Sequence, residues 1–256
     1  MRVMAREWPG IIIASGVCAA TGKPKWEAMI TAKQLYEKEI DAEKNHMGSV
    51  HDLYFDDQAW TLRYLVVDTG RWLPGRKVLI VPEAILLPWH DGVDTAVPVR
   101  LTRDQVKSSP DIDTAQYISR QSEQILHSHY GWIQYWEVPG VPASPPLPQS
   151  TLSRKENRVI KDAELTGGEH LRSTKEVRGY RVHATDGEIG HIEDFLFDDD
   201  CRRILFLSVD LEEWLSSKQV LIPPRLVSRI DWAGSTLHVE LTCKVIKTSQ
   251  EYMPET

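Results

Sequence analysis

Cysteine is scarce in this 256-residue sequence, which contains only Cys18, Cys201 and Cys243. Their number is odd and no Cys-x-x-Cys pair occurs, which argues against a disulfide framework and against a zinc site. Thiols that are neither paired nor clustered are typical of a reducing compartment, so the sequence favours a cytoplasmic location.

Long apolar runs are also missing from the start of the chain. The one early run, residues 11–20, is half as long as the roughly 20 residues that a membrane helix needs. We therefore predict no integral membrane segment. Arg2 and Arg6 precede this run, so residues 1–28 have three open interpretations: an edge strand, a tail or a cleaved signal peptide.

A surplus of basic residues is absent too. The chain has 30 Lys and Arg residues against 37 Asp and Glu residues, which gives a formal net charge of −7. Proteins that bind nucleic acid directly usually carry a basic face, so direct nucleic-acid binding is not expected. Phenylalanine is also rare, with four residues, whereas the sequence has nine Trp residues. The composition therefore raises the question of where so many large rings pack.

What the sequence does contain is an internal repeat. Residues 48–82 align with residues 190–224 without a gap, and 14 of the 35 aligned positions are identical. After a shift of two residues, residues 99–102 align with residues 239–242. Two copies are too few for a solenoid, so two small domains of about 75–80 residues each are the natural interpretation.

Each repeat is predicted to form a series of short strands. In the second repeat, the alternating residues 180–184 are followed by Asp186 and Gly187, a typical hairpin turn. Further strands are predicted at 190–197, 204–209, 219–223 and 237–241. Short strands at regular spacing favour a small antiparallel barrel over a βαβ sheet. The predicted fold class is therefore mainly β, with two small barrel-like domains.

A different segment separates the repeats. Ser119 fits the N-cap of a helix that runs to about Tyr130 and ends at Gly131. The proline-rich residues 139–148 then predict an extended, semi-rigid linker. The predicted organisation is an N-terminal tail at 1–28, a first barrel at 29–110, a connector at 111–169 with one helix and the Pro-rich linker, a second barrel at 170–250 and a C-terminal tail at 251–256.

Both repeats resemble PRC-barrel domains. Residues 65–80 are similar to the central motif of that family, and residues 184–195 are similar to its opening hairpin. The resemblance covers residues 30–107 and 171–248, and the segment 119–132 is similar to the connector of bacterial proteins with two such domains. The family is named after the cytoplasmic domain of the photosynthetic reaction-centre H subunit, and it includes the C-terminal domain of a ribosome-maturation factor. The resemblance implies structural roles for the motif residues Gly48, Asp52, Asp68, Gly70, Pro74, Gly75, Gly187, Gly190, Asp194 and Asp210.

Two stretches after residue 67 mimic catalytic motifs, but each lacks a required part. Asp68-Thr69-Gly70 resembles the aspartic-protease signature, whose mechanism needs two such carboxylates sharing a proton, but in the second repeat Asp210 is followed by Leu and Glu instead of Thr/Ser-Gly. Residues 70–77 nearly spell a phosphate-binding loop, but the Lys-Ser/Thr pair and the following helix are missing. We expect both aspartates to end strands and to accept backbone hydrogen bonds.

The interaction candidates are aromatic and basic residues. Three cationic side chains within residues 71–77 surround Trp72 and form one local basic-aromatic patch. One interpretation is a docking surface; the other is that Trp72 covers the barrel end, because Trp214 repeats the ring in the second copy. The residues singled out are this patch and the Trp residues of the connector and the second repeat: Arg71, Trp72, Arg76, Lys77, Trp132, Trp136 and Trp214.

Metal sites and catalytic groups are not indicated. His127 and His129 are two residues apart and lie on different faces of a helix, so they do not chelate together. The acidic turns at 56–57 and 198–200 do not continue into a calcium-binding loop, and no nucleophile motif occurs. We expect no metal, no cofactor and no catalytic residue.

The sequence thus favours a non-enzymatic protein-interaction or scaffold protein. Small barrels that expose Trp invite self-association, so we expect a homodimer or a higher homo-oligomer and an unidentified protein partner. Three alternatives stay open: an accessory factor in ribosome or RNA maturation, a peripheral partner of a membrane electron-transfer complex, and an enzyme with a cleft between the barrels.

Overall fold

The computed structural model describes residues 29–43, 45–86, 96–110, 118–136, 170–213 and 216–253. These residues are mainly β, as the sequence predicts. The expectations for residues 1–28, for the Pro-rich linker, for Trp214 and for residues 254–256 lie outside the described residues. Within the described part, no helix is both long and apolar enough to cross a membrane.

The elements are short. The first repeat and the connector contain β1 (Ile30–Thr31), α1 (Ala32–Leu35), β2 (Glu39–Ala42), β3 (Asn45–Asp56), β4 (Thr61–Asp68), β5 (Lys77–Ile80), a 3-10 turn (Pro82–Ala84), β6 (Ala96–Val99), α2 (Arg103–Lys107) and α3 (Arg120–Tyr130). The second repeat contains β7 (Leu171–Ser173), α4 (Thr174–Val177), β8 (Arg181–Ala184), β9 (Gly187–Phe197), β10 (Ile204–Glu213), β11 (Ser216–Ile222), a 3-10 turn (Pro224–Leu226), β12 (Val227–Asp231), β13 (Thr236–Val239) and α5 (Cys243–Lys247).

The chain divides into two compact units. The first-repeat unit holds the described residues of 37–59 and 63–172, and the second-repeat unit holds those of 29–36, 60–62 and 173–253. Residues 29–36, which the sequence places in the first barrel, thus pack with the second repeat, and α3 packs with the first repeat.

The first-repeat unit is built on a sheet with strand order β5-β4-β3-β2-β6, and β7 also pairs with β3. β2 and β6 run parallel, with Ile40 opposite Val97, and the other assigned pairs β2–β3 and β4–β5 are antiparallel. The core is apolar and includes Val50, Leu53 and Phe55 from β3, all without exposed surface. Alternation of buried and exposed positions along the strands is what a half-buried sheet requires.

The second-repeat unit repeats this order. Its sheet runs β11-β10-β9-β8-β13-β12, and β8 and β13 are again parallel, with Val182 opposite Leu237. The turn between β8 and β9 consists of Thr185 and Asp186, because Gly187 already pairs with Ala184. The predicted hairpin is present, but its turn lies one residue earlier than the sequence indicates.

The opening strand of each repeat pairs with a sheet strand of the other repeat. In β1, Ile30 lies opposite Phe197 and Thr31 opposite Leu196 of β9. β7, which opens the second repeat, pairs with β3. After β1, the backbone N–H of Lys33 donates to Asp194, which ties the first turn of α1 to β9. Residues 29–36 therefore complete the second-repeat sheet.

Capping residues mark where the helices begin and end. α3 begins after Ser119, whose side chain accepts from the N–H of Ser122, and ends at Gly131 with φ of 68°. The predicted helix is thereby confirmed. The short helices were not predicted, although Thr31 with Gln34 and Thr102 with Gln105 form capping boxes that hold α1 and α2.

Candidate interaction site at helix α3

Helix α3 presents an ionisable face to the core of the first-repeat unit. Glu123 and His127 are four residues apart, so they lie on one face of the helix. Glu123 has no exposed surface and His127 is 2% exposed. A buried carboxyl and a buried imidazole need polar partners, because an unpaired polar group away from water is costly.

Tyr64 of β4 supplies those partners. Its hydroxyl group donates to Oε1 of Glu123 at 2.8 Å and lies 2.9 Å from Nε2 of His127. The opposite ring nitrogen, Nδ1, is 2.9 Å from the carbonyl oxygen of Ile133, to which it donates. A single phenol therefore links a carboxyl and an imidazole in the interior.

A second set of bonds comes from the N-terminal turn of α3 and from residues 131–136. Tyr135 donates to Oε1 of Glu123 at 2.7 Å. Arg120 places Nη1 2.8 Å from Oε2 of Glu123 and donates to the Tyr135 hydroxyl oxygen at 3.0 Å. The Glu123 carboxyl thus lies among two phenols and one guanidinium group.

Aromatic rings enclose His127. Its ring centroid lies 6.0 Å from Tyr64, 5.8 Å from Trp132 and 5.0 Å from Trp136. Tyr130 stacks on Trp132 with centroids 4.2 Å apart and an angle of 17°. The connector rings that the sequence singled out therefore have a packing role around this histidine.

Cations stack against the same rings. The guanidinium of Arg63 lies 3.7 Å from the ring centre of Tyr135, and that of Arg120 lies 4.4 Å from Trp136. Arg63 also pairs with Asp56 at 3.0 Å. These cation–π contacts fasten residues 135–136 to β4 and α3.

Burial sets the ionisation of the cluster. It raises the pKa of the Glu123 carboxyl, against the opposing effect of the hydrogen bonds from Tyr135 and Tyr64 and of the Arg120 charge. Burial lowers the pKa of the His127 imidazole. Burial and the neighbouring Glu123 raise the pKa of the Tyr64 and Tyr135 phenols, so both remain protonated at neutral pH.

The outward side of α3 is different in character. In the stretch 121–136, Glu123 is the one Asp, Glu, Lys or Arg residue, and it is buried. Ile125 is 51% exposed and Ile133 is 90% exposed. We use the name α3 face for these exposed residues of α3 and of the segment that follows it: Gln121, Gln124, Ile125, Ser128, His129 and Ile133.

Two residues of the predicted basic-aromatic patch, Trp72 and Arg76, have partners inside the first-repeat unit. Trp72 is partly buried, with the guanidinium of Arg103 4.4 Å from its ring. Arg76 donates to the carbonyl oxygen of Lys107 at 2.9 Å and also to the carbonyl oxygen and Oγ of Ser109. Arg71 is exposed and Lys77 is half-buried. Among the described residues, no ring contact joins Trp72 to Trp132 or to Trp136.

Lys218 repeats the role of Arg76. Its Nζ donates to the carbonyl oxygens of Lys247 and Ser249 at 2.7 and 3.0 Å, at the end of α5. Arg76 and Lys218 occupy equivalent repeat positions and satisfy the open carbonyls at equivalent helix ends.

The motif residues that the resemblance implies serve the backbone. Asp68 accepts from the N–H of Gly70 at 2.8 Å, and Asp52 accepts from the N–H of Leu53 at 2.7 Å. Gly70 and Gly75 have φ values of 56° and 76°, which glycine adopts without strain. The remaining motif residues lie in or beside strands and turns: Gly48, Pro74, Gly187, Gly190, Asp194 and Asp210.

Sequence reasoning missed Tyr64, Glu123 and His127 as a unit. The available signal was the spacing of four between Glu123 and His127, which puts both on one helical face. Tyr64 gives no such signal, since its partners are 59 and 63 residues away. The part of the chain that the structure describes contains no group of three or more His, Cys, Asp or Glu side chains placed to hold a metal ion.

Comparison with curated proteins gives no match for this chain. In the comparison with family models, residues 169–242, which hold β7 to β13 of the second repeat, match the PRC-barrel domain.

Proposed function

We propose that this protein is a non-enzymatic protein-interaction protein whose α3 face binds a second copy of the same chain. The observation that carries the proposal is the contrast across α3: Glu123 and His127 are buried and both bonded to Tyr64, whereas Ile125 and Ile133 are exposed. Interface centres are depleted of charged residues, so an uncharged surface with apolar side chains has the expected composition.

The position of the charges allows a second copy as the occupant of the α3 face. Each chain carries a formal net charge of −7, so two copies repel each other wherever acidic surfaces meet. The α3 face carries no acidic side chain, and contact there keeps that repulsion small. In a two-fold contact the same face of each copy forms the interface, so Ile125 and Ile133 of both chains become buried in it.

We also propose that the first repeat is a second domain of the PRC-barrel family. Support comes from the shared strand order, from the parallel pairs β2–β6 and β8–β13, and from Gly48 and Gly190 at equivalent positions. The free thiols of Cys201 and Cys243 suit the cytoplasmic location that we propose with it.

The oligomeric state of the full chain tests the proposed function. Sedimentation velocity at micromolar concentrations is expected to show a dimer, and the double variant Ile125→Asp/Ile133→Asp is expected to be monomeric, because it buries four carboxylates in a two-fold contact. Met253→Asp is the matched control, since Met253 is apolar and 65% exposed but lies outside the α3 face. A monomeric parent chain, or a double variant that still dimerises, would refute the proposal.

A further inference from the structure

Two hydrogen bonds run in series through the Tyr64 hydroxyl group, to Oε1 of Glu123 at 2.8 Å and to Nε2 of His127 at 2.9 Å. Each link needs one proton between its two heavy atoms, and the phenol supplies only one of the two. The Nδ1 proton of His127 is committed to the carbonyl oxygen of Ile133. One further proton is therefore needed, on Glu123 or on Nε2 of His127.

We propose that Glu123 and His127 share this proton through Tyr64, and that the shared proton stabilises the docking of α3 on β4. With the proton on His127, Nε2 donates to Tyr64 and Tyr64 donates to the Glu123 carboxylate. With the proton on Glu123, the carboxyl donates to Tyr64 and Tyr64 donates to Nε2. The two arrangements have the same atoms and the same net charge, and both satisfy every link.

Loss of the shared proton breaks one link. Tyr64 then donates to Glu123 or to His127 and faces the other partner with a lone pair against a lone pair. A buried polar group without its hydrogen bond destabilises the docked arrangement.

Gain of a second proton is also unfavourable. The added acid proton lies on Oε2 of Glu123, which faces a nitrogen donor of Arg120 at 2.8 Å. The cluster then contains a protonated imidazole beside two guanidinium groups without a carboxylate between them. The ionisable groups that face the proton-sharing chain are Arg63 and Tyr64 on β4, Asp56 paired with Arg63, Glu83 in the 3-10 turn, Arg120 on α3 and Tyr135 after it.

The pH dependence follows from counting protons. When α3 is undocked, the carboxyl and the imidazole titrate near their ordinary pKa values of about 4.3 and 6.5. Between these values the undocked form holds one proton, as the docked form does, so docking does not depend on pH. Above about 6.5 the undocked form holds none, and below about 4.3 it holds two, so docking weakens about tenfold per pH unit on either side. The raised pKa of Glu123 and the lowered pKa of His127 agree with these signs.

Hydrogen exchange of the α3 backbone amides in the full chain measures this docking. After correction for the intrinsic effect of pH, the opening equilibrium is expected to be constant from pH 5 to 6 and to rise about tenfold between pH 7 and 8. An opening equilibrium that does not rise between pH 7 and 8 would overturn the proposal.

Tyr64→Phe separates the shared proton from ordinary burial. Without the phenol, no hydrogen bond joins Glu123 to His127, so the two groups cannot share a proton and each titrates on its own. The rise in opening between pH 7 and 8 is then expected to be smaller than in the parent chain. Tyr130→Phe is the matched control on the same helix, and it is expected to keep the parent profile; a Tyr64→Phe profile equal to the parent's contradicts a shared proton.

A measurement on the parent chain tests the proposal even if the Tyr64→Phe variant does not fold. In the parent chain, nuclear magnetic resonance of the His127 ring nitrogens and the Glu123 carboxyl carbon gives the protonated fraction of each group. The two fractions are expected to sum to one between pH 5 and 6. A sum near zero or near two in that range rules out the shared proton.

Discussion

A Cβ atom on Gly48 would lie 2.1 Å from the carbonyl oxygen of Asp68 on the neighbouring strand. The second repeat has the same relationship, where a Cβ on Gly190 would lie 1.9 Å from the carbonyl oxygen of Asp210. The φ values of 141° and 152° at the two glycines are also outside the range that other residues prefer. Each glycine is therefore required by a close approach of two backbones.

Alanine at either glycine is expected to destabilise its sheet. Gly48→Ala and Gly190→Ala should each lower the free energy of unfolding by about 2–4 kcal/mol, because backbone atoms of β4 or β10 must move. Urea unfolding followed by circular dichroism measures this. Gly75→Ala is the control: its φ is 76° but nothing lies within 4 Å of the added Cβ, so about 1 kcal/mol is expected. Equal costs at positions 48 and 75 would contradict the close-approach explanation.

The sequence shows which positions carry these local constraints, but it does not show which residues they contact. A glycine and an aspartate that recur 142 positions later (Gly48 and Gly190, Asp68 and Asp210) mark positions with a shared constraint, and the strands around them were predicted. The contact between the two is a property of the sheet, because it needs the register of β3 against β4. Strand register is set by pairing across the chain, and a single strand's pattern does not contain it.

Asp194 is expected to make stability fall as pH rises. Its side chain accepts from the N–H groups of Phe195 and Lys33, yet burial dominates and raises its pKa to about 6. The folded state then holds a proton that the unfolded state, with a pKa of about 3.9, releases. The free energy of unfolding should therefore drop between pH 4 and pH 6, by at most about 3 kcal/mol.

Asp194→Asn tests this contribution. The amide oxygen keeps both acceptor bonds and carries no charge, so the drop between pH 4 and 6 should shrink and stability at pH 7 should rise by about 1–2 kcal/mol. Urea unfolding at pH 4, 5, 6 and 7 checks both effects. Asp199→Asn, on the exposed turn after β9, is the control and should leave the pH profile unchanged. An Asn variant that is less stable at pH 7 would show that the ionised carboxylate is favourable at this position.

The cation that bonds to the carbonyls at the end of α2 or α5 is expected to stabilise its own unit. Arg76→Met removes donors from the carbonyls of Lys107 and Ser109, which should cost about 1–2 kcal/mol. Lys218→Met should have a similar effect through Lys247 and Ser249. Arg76→Lys should recover most of the loss, since lysine does this work in the second repeat. Thermal unfolding of the four chains checks the order; an unchanged Arg76→Met protein would return Arg76 to the set of docking candidates.

The pairing of β1 with β9 could not be predicted from the sequence, and the reason is physical. β1 has two residues and α1 has four, so neither gives a periodic signal. Their placement depends on Phe197, Leu196 and Asp194, which are more than 160 positions away. By contrast, α3 has eleven residues with an N-cap at Ser119 and a glycine at its end, and these local signals sufficed to predict it.

Cysteine reactivity reports on the turn between β9 and β10. Cys201 has no exposed surface, and burial together with Asp198, Asp199 and Asp200 raises the pKa of its thiol to about 12. Since the thiolate is the reactive form, Cys201 should not react with Ellman's reagent at pH 8 in the folded protein. Cys243 is partly exposed and should react. In a Cys18→Ser background, one thiol is therefore expected before urea is added and two after unfolding.

The same measurement distinguishes local from global opening at Cys201. If the turn opens alone, the slow reaction of Cys201 should be insensitive to Gly190→Ala, which acts on the contact between β9 and β10. If reaction requires the unit to unfold, Gly190→Ala should accelerate it by the same factor by which it raises the unfolded fraction. We expect the second result, because Cys201 donates its N–H to Asp198 and the neighbouring Ile204 is bonded to Trp60 inside the same unit. Rapid modification of Cys201 in the unaltered fold would contradict its burial.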